Sequence, residues 1–218
     1  MSPPSVSSAS GRHASHHPQA APVLLLASAS PRRRELLWQI GVPHAIAIAA
    51  IDERQLAGET PADCVQRLAL AKAHRVQQGS LPVLGADTAV VVDGDMLGKP
   101  ADRAAGLEML ARLAGRMHEV FTAVALVDTR GSEVRLSRSE VRFRDIDAGE
   151  RARYWDSGEG RDKAGGYAIQ QFGAVFVSEL RGSYSGVMGL PLFETAALLD
   201  AAGVPRWQQG AAAAKGAV

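Results

Sequence analysis

An aspartate and a threonine interrupt a long apolar stretch of the sequence, Val83-Leu-Gly-Ala-Asp-Thr-Ala-Val-Val-Val92. An unpaired carboxylate at Asp87 would be costly among these apolar neighbours. It must therefore be protonated, hydrogen-bonded, or paired with a cation or a metal, unless a strand end lets it reach solvent or cap a turn. Thr88 adds a second polar group, which favours a functional carboxylate over a structural one.

A run of basic residues follows a short apolar segment, in Leu26-Ala-Ser-Ala-Ser-Pro-Arg-Arg-Arg-Glu35. Where a strand feeds a helix N-terminus, free backbone N–H groups and the helix dipole favour an anion, usually a phosphate. Ser30 is the predicted N-cap, but Arg33 stands where a capping box would have Glu or Gln. The positive first turn therefore favours a bound anion. The alternative is a solvated turn in which Arg32, Arg33 and Arg34 pair with nearby acids.

Three of the chain's four lysines lie in segments that could contact a ligand. Lys72 falls on the buried stripe of a predicted helix, so its ammonium either reaches solvent along the core edge or points at an acid or a phosphate. Lys99 lies in Gly98-Lys-Pro100, and Lys163 lies in Asp162-Lys-Ala-Gly-Gly-Tyr-Ala-Ile-Gln170, where glycines permit close approach of the chain to a ligand. A compact ammonium suits phosphate oxygens. For each of these two loops taken alone, the alternative is that it only connects neighbouring elements and binds no ligand.

Alternating apolar and amphipathic segments must position these residues. The hydrophobic periodicity and the turn signals predict an α/β fold, with a mixed central β-sheet flanked by helices. Asp93-Gly94 predicts a hairpin-type turn after the longest early strand. The predicted strands are 23–27, 44–51, 81–92, 118–127, 133–143, 167–169 and 174–180, and the predicted helices are 31–40, 61–76, 101–114, 147–155 and 190–202.

Seven short segments, taken in their order and spacing, resemble the Maf family of nucleoside triphosphate pyrophosphatases. The resemblance runs from about residue 23 to residue 202, and it implies a Maf/inosine-triphosphatase-like fold with an active-site cleft. The segments are Ser28-Ala-Ser-Pro-Arg-Arg-Arg-Glu-Leu-Leu37, Asp52-Glu53, Ala71-Lys72-Ala73, Gly85-Ala-Asp-Thr88, Gly98-Lys-Pro100, Asp162-Lys-Ala-Gly-Gly-Tyr-Ala-Ile-Gln170 and Gly182-Ser-Tyr-Ser-Gly-Val-Met-Gly-Leu-Pro191.

The resemblance implies hydrolysis of a nucleoside triphosphate to the monophosphate and pyrophosphate with a divalent metal, Mg²⁺ or Mn²⁺. By motif match, Asp87 would be the proton acceptor that activates water, and Glu53 would be the acidic partner that helps Asp87 to hold the metal. Lys99 would complete the catalytic set by neutralising phosphate charge. Fixed cations and a metal stabilise the charge that develops on the phosphate oxygens. The other implied phosphate ligands are Ser28, Arg32, Arg33, Lys72 and Lys163.

Within the family, Pro31-Arg32-Arg33, Thr88 and the pair Tyr167 and Gln170 resemble the branch that acts on dTTP and UTP. The branch that acts on 7-methyl-GTP typically has an aromatic residue where Arg32 stands. Arg32, Thr88 and Gln170 are therefore the implied specificity positions, and the Gln170 amide can both donate and accept against a pyrimidine edge. One residue departs from the family pattern. Gln171 stands where the family usually has glycine, which leaves the shape of this loop open.

Three functions are open at this point. The first is a dTTP/UTP pyrophosphatase, the second is the same reaction on another base such as 7-methyl-GTP, and the third is a nucleotide-binding regulator of cell division without turnover. The intact set of Asp87, Glu53 and Lys99 argues against the regulator, because binding alone does not require a buried base.

The composition of the 218-residue chain narrows the partners. The chain has 24 basic and 23 acidic residues, a formal charge of +1, so it has no excess of charge for coating a nucleic-acid polymer. No stretch is long and apolar enough for a membrane span. The single cysteine, Cys64, excludes an internal disulfide and a cysteine-based zinc site and fits a reducing compartment. We expect a cytoplasmic protein without nucleic-acid or membrane partners, and the family resemblance implies a homodimer.

Both ends are predicted to lie outside the domain, which spans 23–206. Residues 1–22 are rich in serine, proline and alanine and cannot bury enough apolar surface to offset the entropy of ordering. Metal binding by His13, His16 and His17 is the alternative to a solvated, disordered tail. Residues 207–218 are rich in alanine and are predicted to be flexible.

Overall fold

A computed structural model describes residues 21–208 of the protein. The predictions for the two tails, 1–22 and 207–218, fall almost entirely outside these residues. At the described end of the chain, the backbone N–H groups of Trp207 and Gln208 donate hydrogen bonds to the carbonyls of Ile40 and Gly41. This part of the second tail segment thus lies against the domain.

The fold is α/β, as predicted. The described part of the chain forms one mixed sheet of seven strands in the order β2-β1-β3-β5-β6-β7, with β4 paired with β3. Strand β1 runs parallel to β2 and β3, whereas the other pairs are antiparallel. The strands are β1 (Leu24–Leu26), β2 (His44–Ile46), β3 (Val83–Val92), β4 (Asp95–Leu97), β5 (Met117–Asp128), β6 (Gly131–Phe143) and β7 (Val177–Arg181).

In the described residues 21–208, six α-helices flank the sheet, and each begins where the sequence offers an N-cap residue or a proline. For example, the Thr60 side chain accepts a hydrogen bond from the Asp63 N–H at the start of α2, and Asp102 does the same for Ala105 at the start of α3. The helices are α1 (Pro31–Gln39), α2 (Pro61–Val76), α3 (Arg103–Leu113), α4 (Ala148–Asp156), α5 (Tyr184–Met188) and α6 (Leu192–Ala201).

The two faces of the sheet have separate cores because side chains alternate along each strand. One face packs on α2, through residues such as Val65 and Ala69 of the helix and Ala89 and Val91 of β3. The opposite face packs on the remaining helices. Its residues form one cluster with α1 and α6 and another with α3 and α4; among them are Leu37, Leu84, Leu198, Leu110, Phe143 and Tyr154.

Three of the predicted strands differ from the structure. Strand β2 ends at Ile46 rather than at 51, because β1, its partner, ends at Leu26. The apolar run 167–169 is buried but irregular, and residues 172–176 form a 3₁₀ helix before β7 begins. The short elements β4 and α5 were not predicted. A short apolar run signals burial, and periodicity alone does not decide whether it pairs in a sheet.

Among the helices of residues 21–208, none combines the length and the hydropathy that crossing a membrane would require.

Candidate active site

A cleft of about 590 Å³ opens where β3 lacks a neighbour on one edge. Strand β1 pairs with β3 only at Val83 and Leu84, and β4 pairs with the same edge only from Val90 onward. Within the described part of the chain, the intervening segment 85–89 has no strand on that side. The cleft therefore exposes the edge of β3 at Asp87 and Thr88.

All ten residues predicted for the site line this one cleft. They come from six separate segments of the sequence, and two of them are adjacent on β3. The ten are Ser28, Arg32, Arg33, Glu53, Lys72, Asp87, Thr88, Lys99, Lys163 and Gln170.

Lys72 joins the two acidic residues of the site. Its Nζ lies 2.6 Å from Asp87 Oδ1 and 3.0 Å from Glu53 Oε1. The side chains of Lys72 and Asp87 are only 9% and 12% exposed, whereas that of Glu53 is 53% exposed. Of the alternatives that the sequence left open, the structure thus shows Asp87 paired with a cation and Lys72 directed at acids. The pairing explains how a carboxylate is accommodated in an apolar strand.

Close packing of α2 on β3 makes this ion pair possible. A side chain at Gly85 would place its Cβ 2.1 Å from the Ala69 carbonyl oxygen and 2.9 Å from the Ala73 nitrogen, so only glycine fits. Lys72 lies one helical turn beyond Ala69, and Asp87 follows Gly85 by two residues on the same strand face. The glycine and the small helix residues therefore bring the ammonium within reach of the carboxylate.

Arg33 occupies the other side of the β3 edge. Its Nε donates to the Gly189 carbonyl at 2.8 Å, one Nη donates to Ser28 Oγ at 3.2 Å and the other donates to Thr88 Oγ1 at 3.3 Å. Burial lowers the pKa of Arg33, and the nearby carboxylate of Asp87 opposes that shift. The guanidinium is thus fixed on neutral oxygens, with Asp87 close enough to act on its charge.

The N-terminus of α1 delivers Ser28, Arg32 and Arg33 to the cleft. Proline at the first helical position begins the helix, and the Ser30 side chain makes no capping hydrogen bond. Instead, Ser28 Oγ accepts from the Ser30 N–H at 3.2 Å. Burial lowers the pKa of Arg32, and the charge of Asp162 opposes the shift. The first turn therefore points basic groups and a helix N-terminus into the same cleft, as predicted.

Lys99 and Lys163 lie on two loops that are joined to each other. The Gly165 N–H donates to the Gly98 carbonyl at 3.1 Å. Lys163 pairs with Asp162, and Lys99 is exposed without a hydrogen-bond partner in residues 21–208. Gly165 does not line the cleft. It has φ +69°, and a Cβ there would lie 2.9 Å from the Val90 side chain. This glycine therefore allows close packing within the protein rather than the predicted approach of a ligand.

Gln170 lies in a turn held by the side chains of Tyr154, which is buried, and Glu159, which is half-buried. The Tyr154 hydroxyl donates to Glu159 Oε1 at 2.8 Å and accepts from the Ala168 N–H at 3.1 Å. The Glu159 carboxylate also accepts from the backbone N–H groups of residues 172 and 173, at 2.8 and 3.0 Å. Gln171 adopts φ −130°, so this position does not require the glycine usual in the family.

Sequence reasoning did not identify three residues that support the site: Thr122, Tyr154 and Glu159. Thr122 is 1% exposed in the structure, and the signal available in the sequence was a polar residue within the apolar run 120–127. Glu159 gave no such signal, because a glutamate among Gly158, Gly160 and Arg161 is typical of a solvated loop.

Comparisons with known proteins identify the family to which the chain belongs. A sequence model of the family described as Maf-like protein matches residues 23–202. A relative from Saccharophagus degradans is 52% identical over 191 residues, which cover 85% of this chain and 91% of the relative. Relatives from Alkalilimnicola ehrlichii and Bordetella parapertussis are each 53% identical, over 84% of this chain and 94% of their own length. All three are named dTTP/UTP pyrophosphatase. The chain therefore belongs to the Maf-like protein family.

Proposed function

We propose that this protein hydrolyses dTTP and UTP to the corresponding monophosphate and pyrophosphate. The observation that carries the proposal is the convergence of the ten predicted residues on one cleft, with a buried acid–lysine pair on one wall and fixed cations around it. The names of the relatives support the pyrimidine triphosphates as substrates over 7-methyl-GTP, and a hydrolase over a regulator without turnover.

Asp87 is the proposed general base. A water molecule at the β3 edge would transfer a proton to its carboxylate while the water oxygen forms a bond to the α-phosphorus. The bond from that phosphorus to the α–β bridging oxygen breaks, and pyrophosphate leaves with the electron pair. Lys72 pairs with Asp87 at 2.6 Å and so holds the carboxylate at the β3 edge, where it can accept the proton. Lys72 also brings positive charge to the phosphates.

The remaining cations of the cleft would bind the triphosphate. Arg32 and Arg33 extend from the first turn of α1, where Ser28 adds a hydroxyl, and Lys99 and Lys163 reach in from the joined loops on the other side. Charge on the transferred phosphoryl group and on the leaving pyrophosphate increases during the reaction. Fixed positive groups around a partly enclosed cleft therefore stabilise the transition state.

A divalent cation, Mg²⁺ or Mn²⁺, fits the donor set and is part of the proposal. Asp87 and Glu53 both contact the Lys72 ammonium, so their oxygens face the same small region of the cleft. Residues 21–208 contain no cluster of three or more acidic, histidine or cysteine side chains that could form a complete ligand set. Mg²⁺ in phosphate-transfer sites typically uses one or two carboxylates together with substrate oxygens. Asp87 and Glu53 would hold the cation, which would neutralise phosphate charge when bound.

Base selection is assigned to Arg32, Thr88 and Gln170, which line the same cleft. Gln170 offers an amide that can pair with a pyrimidine edge, and its turn is fixed by Tyr154 and Glu159. The proposal also includes a cytoplasmic location, a homodimer, and no nucleic-acid or membrane partner. The near-neutral charge supports the absence of a nucleic-acid partner, and the lone Cys64, which is buried, fits a reducing compartment such as the cytoplasm. The homodimer rests on the family resemblance.

A nucleotide panel tests the proposed function. Purified full-length protein is incubated with each of the common ribo- and deoxyribonucleoside triphosphates and with 7-methyl-GTP, with Mg²⁺ or Mn²⁺, and pyrophosphate and orthophosphate are measured separately. We expect the highest kcat/KM with dTTP and UTP, pyrophosphate as the product, and loss of turnover when the metal is chelated. Preference for 7-methyl-GTP, release of orthophosphate, or no turnover of any nucleotide would contradict the proposal.

A further inference from the structure

Thr122 of β5 lies behind the cleft and contacts two groups of the site. It is the direct cross-strand partner of Thr88 and is 1% exposed, and it does not line the cleft itself. Its Oγ1 lies 2.8 Å from the carbonyl oxygen of Gly186, in α5, and 3.1 Å from Thr88 Oγ1. Thr88 Oγ1 also accepts from an Nη of Arg33 at 3.3 Å. Four groups therefore form one continuous chain of hydrogen bonds.

The positions of the hydroxyl protons in this chain follow from counting donors. The Gly186 carbonyl has no proton, so the 2.8 Å contact requires Thr122 to donate to it. A threonine hydroxyl has a single proton, and Thr122 therefore has none left for Thr88. The 3.1 Å contact between the two hydroxyls then requires Thr88 to donate to Thr122. The chain runs in one direction, from the Arg33 guanidinium through Thr88 and Thr122 to the Gly186 carbonyl.

Thr88 can consequently only accept a hydrogen bond from a ligand. Its proton is directed at Thr122, and one lone pair receives the Arg33 N–H, so the cleft meets only the remaining lone pair. Hydrogen bonds in a directed chain strengthen one another, which opposes reversal of the Thr88 hydroxyl. The hydroxyl of Thr88 is thus a fixed acceptor at the wall of the cleft.

We propose that Thr122 is a positioning residue that holds the Thr88 hydroxyl as an acceptor and thereby selects a base whose ring nitrogen carries a proton. Uracil and thymine present an N3–H donor, whereas cytosine presents an unprotonated N3 with a lone pair. An acceptor facing that lone pair leaves both groups without a partner, and unpaired polar groups are costly in a closed site. This inference rests on the proposed function and assigns part of its base preference to a residue outside the cleft.

The packing of α5 on the sheet keeps the chain aligned. The Ser183 side chain caps α5 by accepting from the Gly186 N–H at 2.9 Å, and Ser139 of β6 accepts from the Ser183 N–H at 3.0 Å. A Cβ at Gly186 would lie 3.0 Å from Ser183 Cβ and 3.3 Å from Ser137 Oγ. The helix therefore lies close enough to the sheet to present its carbonyl to Thr122.

The test compares Thr122→Val, which removes the hydroxyl at nearly constant volume, with Thr122→Ser, which keeps it. The measured quantity is kcat/KM for UTP divided by kcat/KM for CTP, with pyrophosphate release as the assay. We expect T122V to lower this ratio about tenfold, because the Thr88 proton is freed to serve cytosine N3. T122S should keep the wild-type ratio. Thr195→Val is the matched control: Thr195 is also fully buried, and its hydroxyl has no hydrogen-bond partner among the residues described.

Each outcome decides for or against the inference. An unchanged ratio in T122V overturns it, and so does an equal loss of kcat/KM with both nucleotides, which would mean that Thr88 faces the phosphates. If thermal unfolding shows that T122V does not fold, Thr122→Ala takes its place and the same ratio decides. Failure of the wild-type protein to hydrolyse UTP would instead reject the proposed function, so the two failures are distinguishable.

Discussion

The two faces of β3 hold the cleft in different ways, although the residues concerned are consecutive. On one face, Asp87 forms an ion pair with Lys72 of α2, and the exposed carboxylate of Glu53 joins them. On the other face, Thr88 takes part in a hydrogen-bond chain that begins at the Arg33 guanidinium, passes through two neutral hydroxyls and ends at a main-chain carbonyl of α5. A charged cluster thus lies on one face of β3, and a hydrogen-bond chain with a fixed proton direction lies on the other.

This difference predicts a division of functions between the two faces of β3. A carboxylate beside an ammonium can accept a proton and attract a cation, which suits the chemical step. A hydroxyl with a fixed direction carries no net charge, but it distinguishes a donor from an acceptor, which suits recognition of a base. Because side chains alternate along a strand, two adjacent residues can serve both tasks without competing for the same partners. The predictions below test this division.

The largest effect is expected from Asp87→Asn, which keeps the size of the side chain but removes its basicity. We expect kcat for UTP to fall by about 10²–10⁴-fold, because a positioned general base contributes that much. The UTP/CTP ratio should stay near the wild-type value, since the Thr88 face is untouched. Thr88→Val is the matched variant on the other face and should lower the ratio more than kcat. A reversal of these two patterns in steady-state kinetics would refute the division.

The next largest effect is expected on the free energy of unfolding, through the ion pair of Lys72 and Asp87. Lys72→Met leaves the Asp87 carboxylate, 12% exposed, without its cation, and we expect the free energy of unfolding to fall by about 3 kcal/mol. The double variant K72M/D87N should recover much of this loss, because no buried charge remains. Urea denaturation measures both changes.

The control for this pair is a surface pair. Arg54 and Asp52 form an ion pair with side chains 88% and 60% exposed, so Arg54→Met should have little effect on stability. Equal losses of unfolding free energy in K72M and R54M would show that the buried pair stabilises the fold no more than the exposed pair does.

The neutral face should respond to pH through His118, which lies on the same face of β5 as Thr122. Burial lowers the pKa of His118 from 6.5 to about 4, while its Nε2 contacts the Tyr167 hydroxyl at 2.8 Å. As pH falls below 6.5, the unfolded chain binds this proton before the folded chain does, so stability is lost. Between pH 7 and pH 5, His118 should account for a loss of about 2 kcal/mol.

Urea denaturation of wild type and His118→Gln at the two pH values tests this expectation. The variant should lose about 2 kcal/mol less between pH 7 and pH 5 than the wild type does. His74→Gln, which alters an exposed histidine of α2, serves as the control and should behave like the wild type. Parallel pH profiles for wild type and H118Q would contradict the assignment.

The smallest effect is expected at the turn that carries Gln170. In Glu159→Gln, an amide NH₂ replaces one acceptor, so one of the backbone N–H groups at 172 and 173 or the Tyr154 hydroxyl loses its partner. We expect KM for UTP to rise about tenfold with a smaller change in kcat, because the turn positions a base contact and not the reacting groups. Glu150→Gln, whose carboxylate pairs with Arg144 outside the cleft, is the control. An equal change in both variants would count against a positioning role.

Part of the site could be predicted because several of its residues are unusual at their positions in the sequence. Asp87 is an acid in an apolar strand, Lys72 is a cation on a buried helical stripe, and the arginines of α1 occupy a helix start that prefers acids. Each of these local conflicts requires a partner, which is why the sequence itself indicated these residues. Ser28, Glu53 and Gln170 were indicated only by the family resemblance. The strands β3, β5 and β6 and the helices α1, α2 and α6 followed from periodicity in the same way.

The sequence could not determine which partner each residue would find. Whether Lys72 would meet an acid or a phosphate depended on the distance between α2 and β3, which Gly85 sets through contacts with residues far from it in the chain. The direction of the Thr88 hydroxyl depended on Thr122 and on a carbonyl of α5, a helix that periodicity did not detect. Residue types and spacing determined the chemistry available to this protein. The tertiary structure decided the pairing, because hydrogen bonds and ion pairs depend on distances between segments that only the folded chain brings together.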